Sequence, residues 1–262
     1  VSWRYALAAV AGVQHVAQET PCQDACRAQV AEFGGRAVWW AVVSDGAGSA
    51  PAGAAGADAV CQTMMAQIAA WLTAHAGAVE ALPPAEVAGW LAHTVAAIRE
   101  MATAAQAEPS AYAATMLAVV ANKRATVAWQ VGDGAIVAQL APVAADDPEG
   151  DALRVVLWPD QGEYINTTRF VTDEDAAVHL RFACLPAARC LALFSDGLQQ
   201  LALHYASKTV HAPFFTPLFA RLAQAPPGAS ASRDRALAAF LDSPAVNQRT
   251  DDDKTLVIAC TG

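Results

Sequence analysis

Residues 36–50 read RAVWWAVVSDGAGSA and residues 191–198 read LALFSDGL. Both are apolar runs that stop at Ser-Asp-Gly. The stretch 37–44 is continuously apolar and rich in β-branched and aromatic residues, which predicts a buried strand, and 189–195 predicts a second. Buried strands need a substantial core around them. The 262-residue chain, 55% hydrophobic and 16% charged, can form one, and its length suits a layered α/β fold.

The remaining elements follow from pattern and punctuation. Residues 3–11 read as a strand. Residues 51–76, opening with Pro51, and 84–107, following Pro83-Pro84, predict an antiparallel pair of long helices. Strands are expected at 114–121, 125–131 and 134–140, joined by turns at ANKR and GDG as an antiparallel meander. A loop at 142–151, a strand at 153–158 and an irregular polar segment at 159–182 come next. Residues 197–204 begin a helix, 213–243 are helical with Pro interruptions, and 254–260 form a closing strand. No repeat or low-complexity linker divides the chain, so one domain over 1–262 is expected, with antiparallel sheets covered by helices.

Composition narrows the partners. The net charge is −9 and no basic stripe is visible, which argues against nucleic acid. No apolar run reaches the roughly 18 residues of a membrane-spanning helix. The opening VSWRYALAAVAG lacks a signal-peptide plan. Cys22, Cys26, Cys61, Cys184, Cys190 and Cys260 contain no CxxC pair and read as reduced, mostly buried thiols of a cytoplasmic protein. Cys22 and Cys26 have no second Cys/His pair of matching spacing, so zinc is not expected.

Five aspartates stand at strand ends. Asp45 and Asp196 follow the two apolar runs, Asp252 precedes the closing strand, Asp133 lies in the GDG turn, and Asp24 sits in PCQDAC before an extended segment. Taken singly, each is an ordinary turn residue. Taken together, they can converge, because loops at one end of a sheet meet. Two unit charges about 4 Å apart repel by roughly 4 kcal/mol at an effective dielectric of 20. Converging carboxylates therefore need raised pKa values or a cation. Oxygen ligands without His or Cys select a hard ion, Mg²⁺ or Mn²⁺. Two such ions would activate a water and clamp a phosphoryl oxygen.

In order along the chain, GVQHVAQETPCQDAC, VVSDGAGSA, AATMLAVV, WQVGDGAIV, LALFSDGL and DDDKTLVIA resemble the motifs of the metal-dependent PPM-type (PP2C-like) serine/threonine protein phosphatases, in a bacterial form. The resemblance spans nearly the whole chain. It implies a four-layer αββα sandwich of two antiparallel sheets flanked by helices. It also implies hydrolysis of phosphoserine and phosphothreonine in proteins by a metal-bridged hydroxide, with two Mg²⁺ or Mn²⁺ ions and a third, weaker site. Asp45 matches the bridging metal ligand and the Gly46 carbonyl a backbone ligand. Asp196 and Asp252 match the remaining ligands of the first metal. Asp252 is chosen over Asp251 and Asp253 because it stands three residues before Thr255, as in the family's Asp-Asn-x-Thr pattern. Asp133 matches the ligand of the third metal, and Asp24 lies near the second, acting through water.

The chain also departs from the pattern. Glu19 stands where the family often has the Arg that holds the substrate phosphate, and Ala47 where some members have a general-acid His. Gln23 replaces a Glu. His15 is the nearest compensating polar group, though a lone His is more often a structural residue. Residues 159–182 match the family's flap, and Arg169 within it is a candidate for the missing positive charge at the substrate. The resemblance implies phosphorylated protein substrates of a cognate Ser/Thr kinase, and the short, linker-free chain suggests a stand-alone enzyme, expected to be a monomer. Two other readings stay open. One is a catalytically degenerate domain that binds phosphoproteins or regulates. The other is an aspartyl-phosphate phosphotransferase with Asp45 as nucleophile, which would need a second Asp where Ala47 stands.

Overall fold

The computed structural model describes residues 2–141, 152–160 and 168–262. The loop expected at 142–151 lies outside the described residues, as do Glu163, Tyr164, Asn166 and Thr167 of the polar segment. In chain order the elements are β1 (Trp3–Val10), α1 (Val13–Ala17), β2 (Asp24–Phe33), β3 (Arg36–Asp45), α2 (Gly53–Ala74), α3 (Pro84–Ala104), β4 (Met116–Ala121), β5 (Ala125–Val131), β6 (Ala135–Leu140), β7 (Leu153–Leu157), β8 (Arg181–Pro186), β9 (Ala188–Phe194), α4 (Gln199–Ala202), β10 (Leu203–His204), β11 (Thr209–Val210), α5 (Ala212–Ala223), α6 (Ala231–Leu241), α7 (Pro244–Asn247) and β12 (Lys254–Thr261).

Two five-stranded sheets result, ordered β1-β12-β9-β6-β7 and β2-β3-β4-β5-β8, with a separate β10-β11 hairpin. Every pairing between their strands is antiparallel. The sheets lie face to face. Trp39, Ala41 and Val43 of β3 and Leu117 and Val119 of β4 pack against Leu191 and Leu193 of β9 and Val257 and Ala259 of β12. The alternate residues of β3, Val38, Trp40 and Val42, lie under Met64, Ile68 and Leu72 of α2 and Val87, Leu91 and Ile98 of α3. On the other sheet, Phe194, Leu256 and Ile258 meet Phe215, Phe219 and Leu222 of α5 and Leu237 and Leu241 of α6. This explains the unbroken apolar run of β3. A strand between a sheet and a helical layer buries both faces, so strand alternation is lost. Each fully buried large side chain contributes about 1.5–3 kcal/mol relative to exposure. The result is the expected αββα sandwich.

Four local expectations change. Residues 24–33, anticipated only as an extended segment, form β2, a half-exposed edge strand that pairs with β3 along its whole length. Residues 181–186, placed in the irregular segment, form β8 on the edge beside β5. Both edge strands lack a continuous apolar run because one side of each is solvated. The helix expected from 197 is a single short turn, α4, followed by the β10-β11 hairpin. The cysteines are not all free. Cys190 and Cys260 stand opposite each other in the β9–β12 ladder, with Cα atoms 4.2 Å apart, and form a disulfide. Cross-strand register brings them together, and spacing along the chain does not reveal it.

Candidate active site

The alternation that fills the space between the sheets also decides which side chains emerge at its mouth. Asp45 has the parity of Trp39, Ala41 and Val43, so it extends the inter-sheet face one step beyond the core. Asp24 is its direct partner across the β2–β3 ladder. From the other sheet, Ser195 and Asp196 follow β9, while Asp253 and Thr255 share the inward parity of Val257. Both sheets thus deliver polar residues to one end of the same gap.

Glycines let the loops close there. A Cβ on Gly46 would lie 2.4 Å from the Gly53 backbone, and one on Gly197 would lie 2.0 Å from the Asp253 carbonyl oxygen. Gly197→Ala is expected to destabilise the protein by more than about 2 kcal/mol, the range of backbone and overpacking defects. A denaturant midpoint unchanged by this substitution would contradict that close approach.

The loops surround a cavity of about 420 Å³ whose lining includes His15, Asp45, Gly46, Asp133, Asp196 and Asp252. Asp24 lies beneath it, buried, with Oδ2 accepting a 2.7 Å hydrogen bond from Ser195 Oγ. Ser195 Oγ in turn accepts the Thr255 N–H at 3.1 Å. The Asp45 N–H donates to Thr115 Oγ1 at 3.0 Å, and its carbonyl accepts the Thr115 N–H at 2.8 Å. Asp133 Oδ2 accepts from Thr168 Oγ1 at 2.6 Å, which ties the described end of the polar segment to the site.

Electrostatics here are dominated by burial. Burial pushes the Asp24 carboxyl up to about 6, and hydrogen bonds from Thr255 and Ser195 partly offset this. Burial and the charges of Asp133 and Asp252 push Asp196 up to about 7. Asp45, between Asp24 and Asp196, is raised well above the usual carboxylate range, first by burial and then by those two neighbours. Asp133 and Asp252 are also raised, chiefly by burial. Among the described residues, no three acidic, His or Cys side chains stand ready as a coordination cage.

The donor set fits a hard cation. Asp24 Oδ1, Asp196 Oδ1 and Gln23 Oε1 are buried without a hydrogen-bond partner. Such oxygens normally find one, and leaving one unpaired costs about 1–3 kcal/mol. A divalent ion satisfies several at once and replaces protons that the carboxyls otherwise hold.

Two expected substrate residues differ in placement. His15 lines the cavity, with Nδ1 2.8 Å from Asp253 Oδ1. Arg169 does not line it, although its neighbours Thr168 and Phe170 do, and its Nη1 lies 3.8 Å from Asp175 Oδ2. Glu19 is exposed just beyond α1, in a left-handed conformation with φ 56°. Asp253 was not foreseen as a member of the site. In DDDK the three aspartates look alike, and Asp253 is set apart only by the Gly12 and Gln23 N–H groups that its carboxylate accepts.

The sequence model of the family described as Protein phosphatase 2C matches residues 11–242. The chain belongs to the protein phosphatase 2C family. It is 37% identical to serine/threonine-protein phosphatase 3 of Escherichia coli (strain K12), over 99% of this chain and 98% of that protein. Solved structures share the fold at lower identity. Serine/threonine phosphatase Stp1 from Staphylococcus aureus has a TM-score of 0.58 at 14% identity, covering 100% of this chain and 96% of the other. RsbX in complex with magnesium has a TM-score of 0.57 at 10% identity, also covering 100% and 96%. Protein phosphatase 2C enzymes are metal-dependent, and the oxygen-only donor set found here accords with that. Among the described residues no helix is long and apolar enough to cross a membrane.

Proposed function

We infer that this protein hydrolyses phosphoserine and phosphothreonine monoesters in proteins. The observation that carries the reading is the set of strand-end carboxyls around one cavity, with buried oxygens that lack partners, in a protein phosphatase 2C chain. Asp45, Asp196 and Asp252, with the Gly46 carbonyl, are the residues that would hold a first divalent ion. Asp45 and Asp24 would serve a second, and Asp133 a third, weaker one. Mg²⁺ and Mn²⁺ are the ions this donor set favours. When bound, such ions lower the pKa of a coordinated water and neutralise charge on the phosphoryl oxygens.

The chain's own residues do the rest. Thr115 fixes both backbone groups of Asp45, so that carboxyl is held at the strand end. Ser195 orients Asp24. The cavity accepts a phosphorylated side chain from a protein surface, and a Ser/Thr kinase acting on the same proteins would supply the substrate. The catalytically degenerate reading is less well supported, because an unused cluster of buried carboxyls would only lower stability. Release of phosphate from a phosphothreonine peptide in Mn²⁺ or Mg²⁺, abolished by EDTA, is the expected result. No turnover with either ion, alongside a clear thermal shift, would favour the degenerate reading.

A further inference from the structure

Three N–H donors converge on the Asp253 carboxylate. Oδ1 accepts the Gly12 N–H at 2.7 Å and pairs with His15 Nδ1 at 2.8 Å, while Oδ2 accepts the Gln23 N–H at 2.6 Å. Asp253 is 3% exposed. The two backbone donors are fixed by the chain, so both oxygens act as acceptors and the hydrogen between the side chains belongs to His15 Nδ1. An Asn at 253, as in the Asp-Asn-x-Thr pattern, offers a single acceptor atom and cannot fill this role.

The histidine is held from its backbone as well. Its carbonyl accepts the Thr20 N–H at 2.9 Å and the Thr20 hydroxyl at 3.2 Å. With Nδ1 committed, the tautomer and ring orientation are set. Nε2 has no hydrogen-bond partner among the described residues and is the ring atom left for the cavity that His15 lines beside Asp45, Asp196 and Asp252. No Arg or Lys is among the described residues lining that cavity. His15 is therefore the one basic side chain among the described residues that line it.

We propose that His15 is the catalytic proton donor to the leaving alkoxide, and that Asp253 is the positioning residue that holds it. This deepens the phosphatase reading and rests on it. As a water oxygen bonds to phosphorus, the bond from phosphorus to the seryl or threonyl oxygen breaks, and its electron pair stays on that oxygen. The proton on His15 Nε2 moves to the same oxygen. The imidazole is left neutral, with Nδ1–H still on Asp253, and recovers a proton equivalent to the one released by the attacking water. Phosphate ester and water thus become alcohol and phosphate, and the enzyme is unchanged.

The test is dependence on the leaving group. An alkoxide or plain phenolate needs the proton, whereas 4-nitrophenolate leaves without it. His15→Gln is expected to lower kcat on phenyl phosphate and on a phosphothreonine peptide by about 10²–10⁴-fold, the usual contribution of general acid catalysis. Its loss on 4-nitrophenyl phosphate should stay below about 10-fold, since only the proton-transfer contribution is removed. Asp253→Asn should shift the same ratio in the same direction, a readout that lost packing alone does not produce. His15→Ala, assayed with added imidazole, provides a second variant, with rescue expected on phenyl phosphate. With the parent enzyme active, equal losses on all three esters, or no loss, would overturn the proton-donor role and leave the phosphatase reading standing. No metal-dependent hydrolysis of any ester by the parent enzyme would overturn both.

Discussion

Asp45→Asn is expected to abolish activity while leaving the metal-free protein as stable as the parent or more so. Asp45 is buried between Asp24 and Asp196, and its carboxyl is raised by burial and by those two charges. An amide of the same shape removes one titrating group from the cluster and can still hydrogen-bond to its neighbours. An amide is neutral at every pH, so it avoids the cost of ionising a buried carboxyl next to two others. For a chain of this size each kcal/mol moves Tm by about 2–4 °C. The same change removes a carboxylate that would hold the ions. Turnover should fall by at least about 10³-fold, the scale of losing a main electrostatic element of a hydrolytic site. The Tm increase on adding Mg²⁺ or Mn²⁺ should vanish with it, because a ligand stabilises only through its affinity for the folded state. Calorimetry with and without metal, together with phosphate release, decides the matter. An Asp45→Asn protein that keeps its activity, or that gains the full metal shift, would remove Asp45 from the centre of the site.

Much of this architecture was legible in the residues. The apolar runs that became β3 and β9 are long and uniform because both faces of each strand are covered, and α3 begins at Pro84 as its punctuation placed it, whereas α2 begins at Gly53, two residues beyond Pro51. Asp45, Asp133, Asp196 and Asp252 were selected as strand-end residues and line one cavity. What was not legible depends on register. β2 and β8 have one solvated side and no continuous apolar signal, so the Asp24–Asp45 pairing and the Cys190–Cys260 disulfide stayed hidden until the ladders were known. Asp253 was hidden for a related reason. Its role depends on two backbone N–H groups more than 200 residues away along the chain. Arg169 lies next to two lining residues, Thr168 and Phe170, while its own guanidinium is 3.8 Å from Asp175, a contact that the sequence alone does not reveal.

The metal-free protein should lose stability as pH rises from 5 to 8. Asp24 and Asp196 ionise near 3.8 when unexposed to the fold, but near 6 and 7 in the folded chain. In that interval the folded state holds protons that the unfolded state has released. Their contribution is therefore fully present below about 4 and is lost as pH rises through 6 and 7. Glu80 and Asp175 are shifted the other way, and their effects fall at lower pH, outside this window. Thermal unfolding in EDTA should give a Tm that declines across the interval, and Asp196→Asn should flatten the decline above pH 6, which separates it from titrating histidines. Divalent metal reverses the trend. It competes with the same protons, so the Tm increase from Mg²⁺ should be small at pH 5 and largest at pH 8. A metal-free protein most stable at pH 8, or a metal shift independent of pH, would mean that these carboxyls are already ionised without a cation, and the buried cluster would then need a different counter-charge.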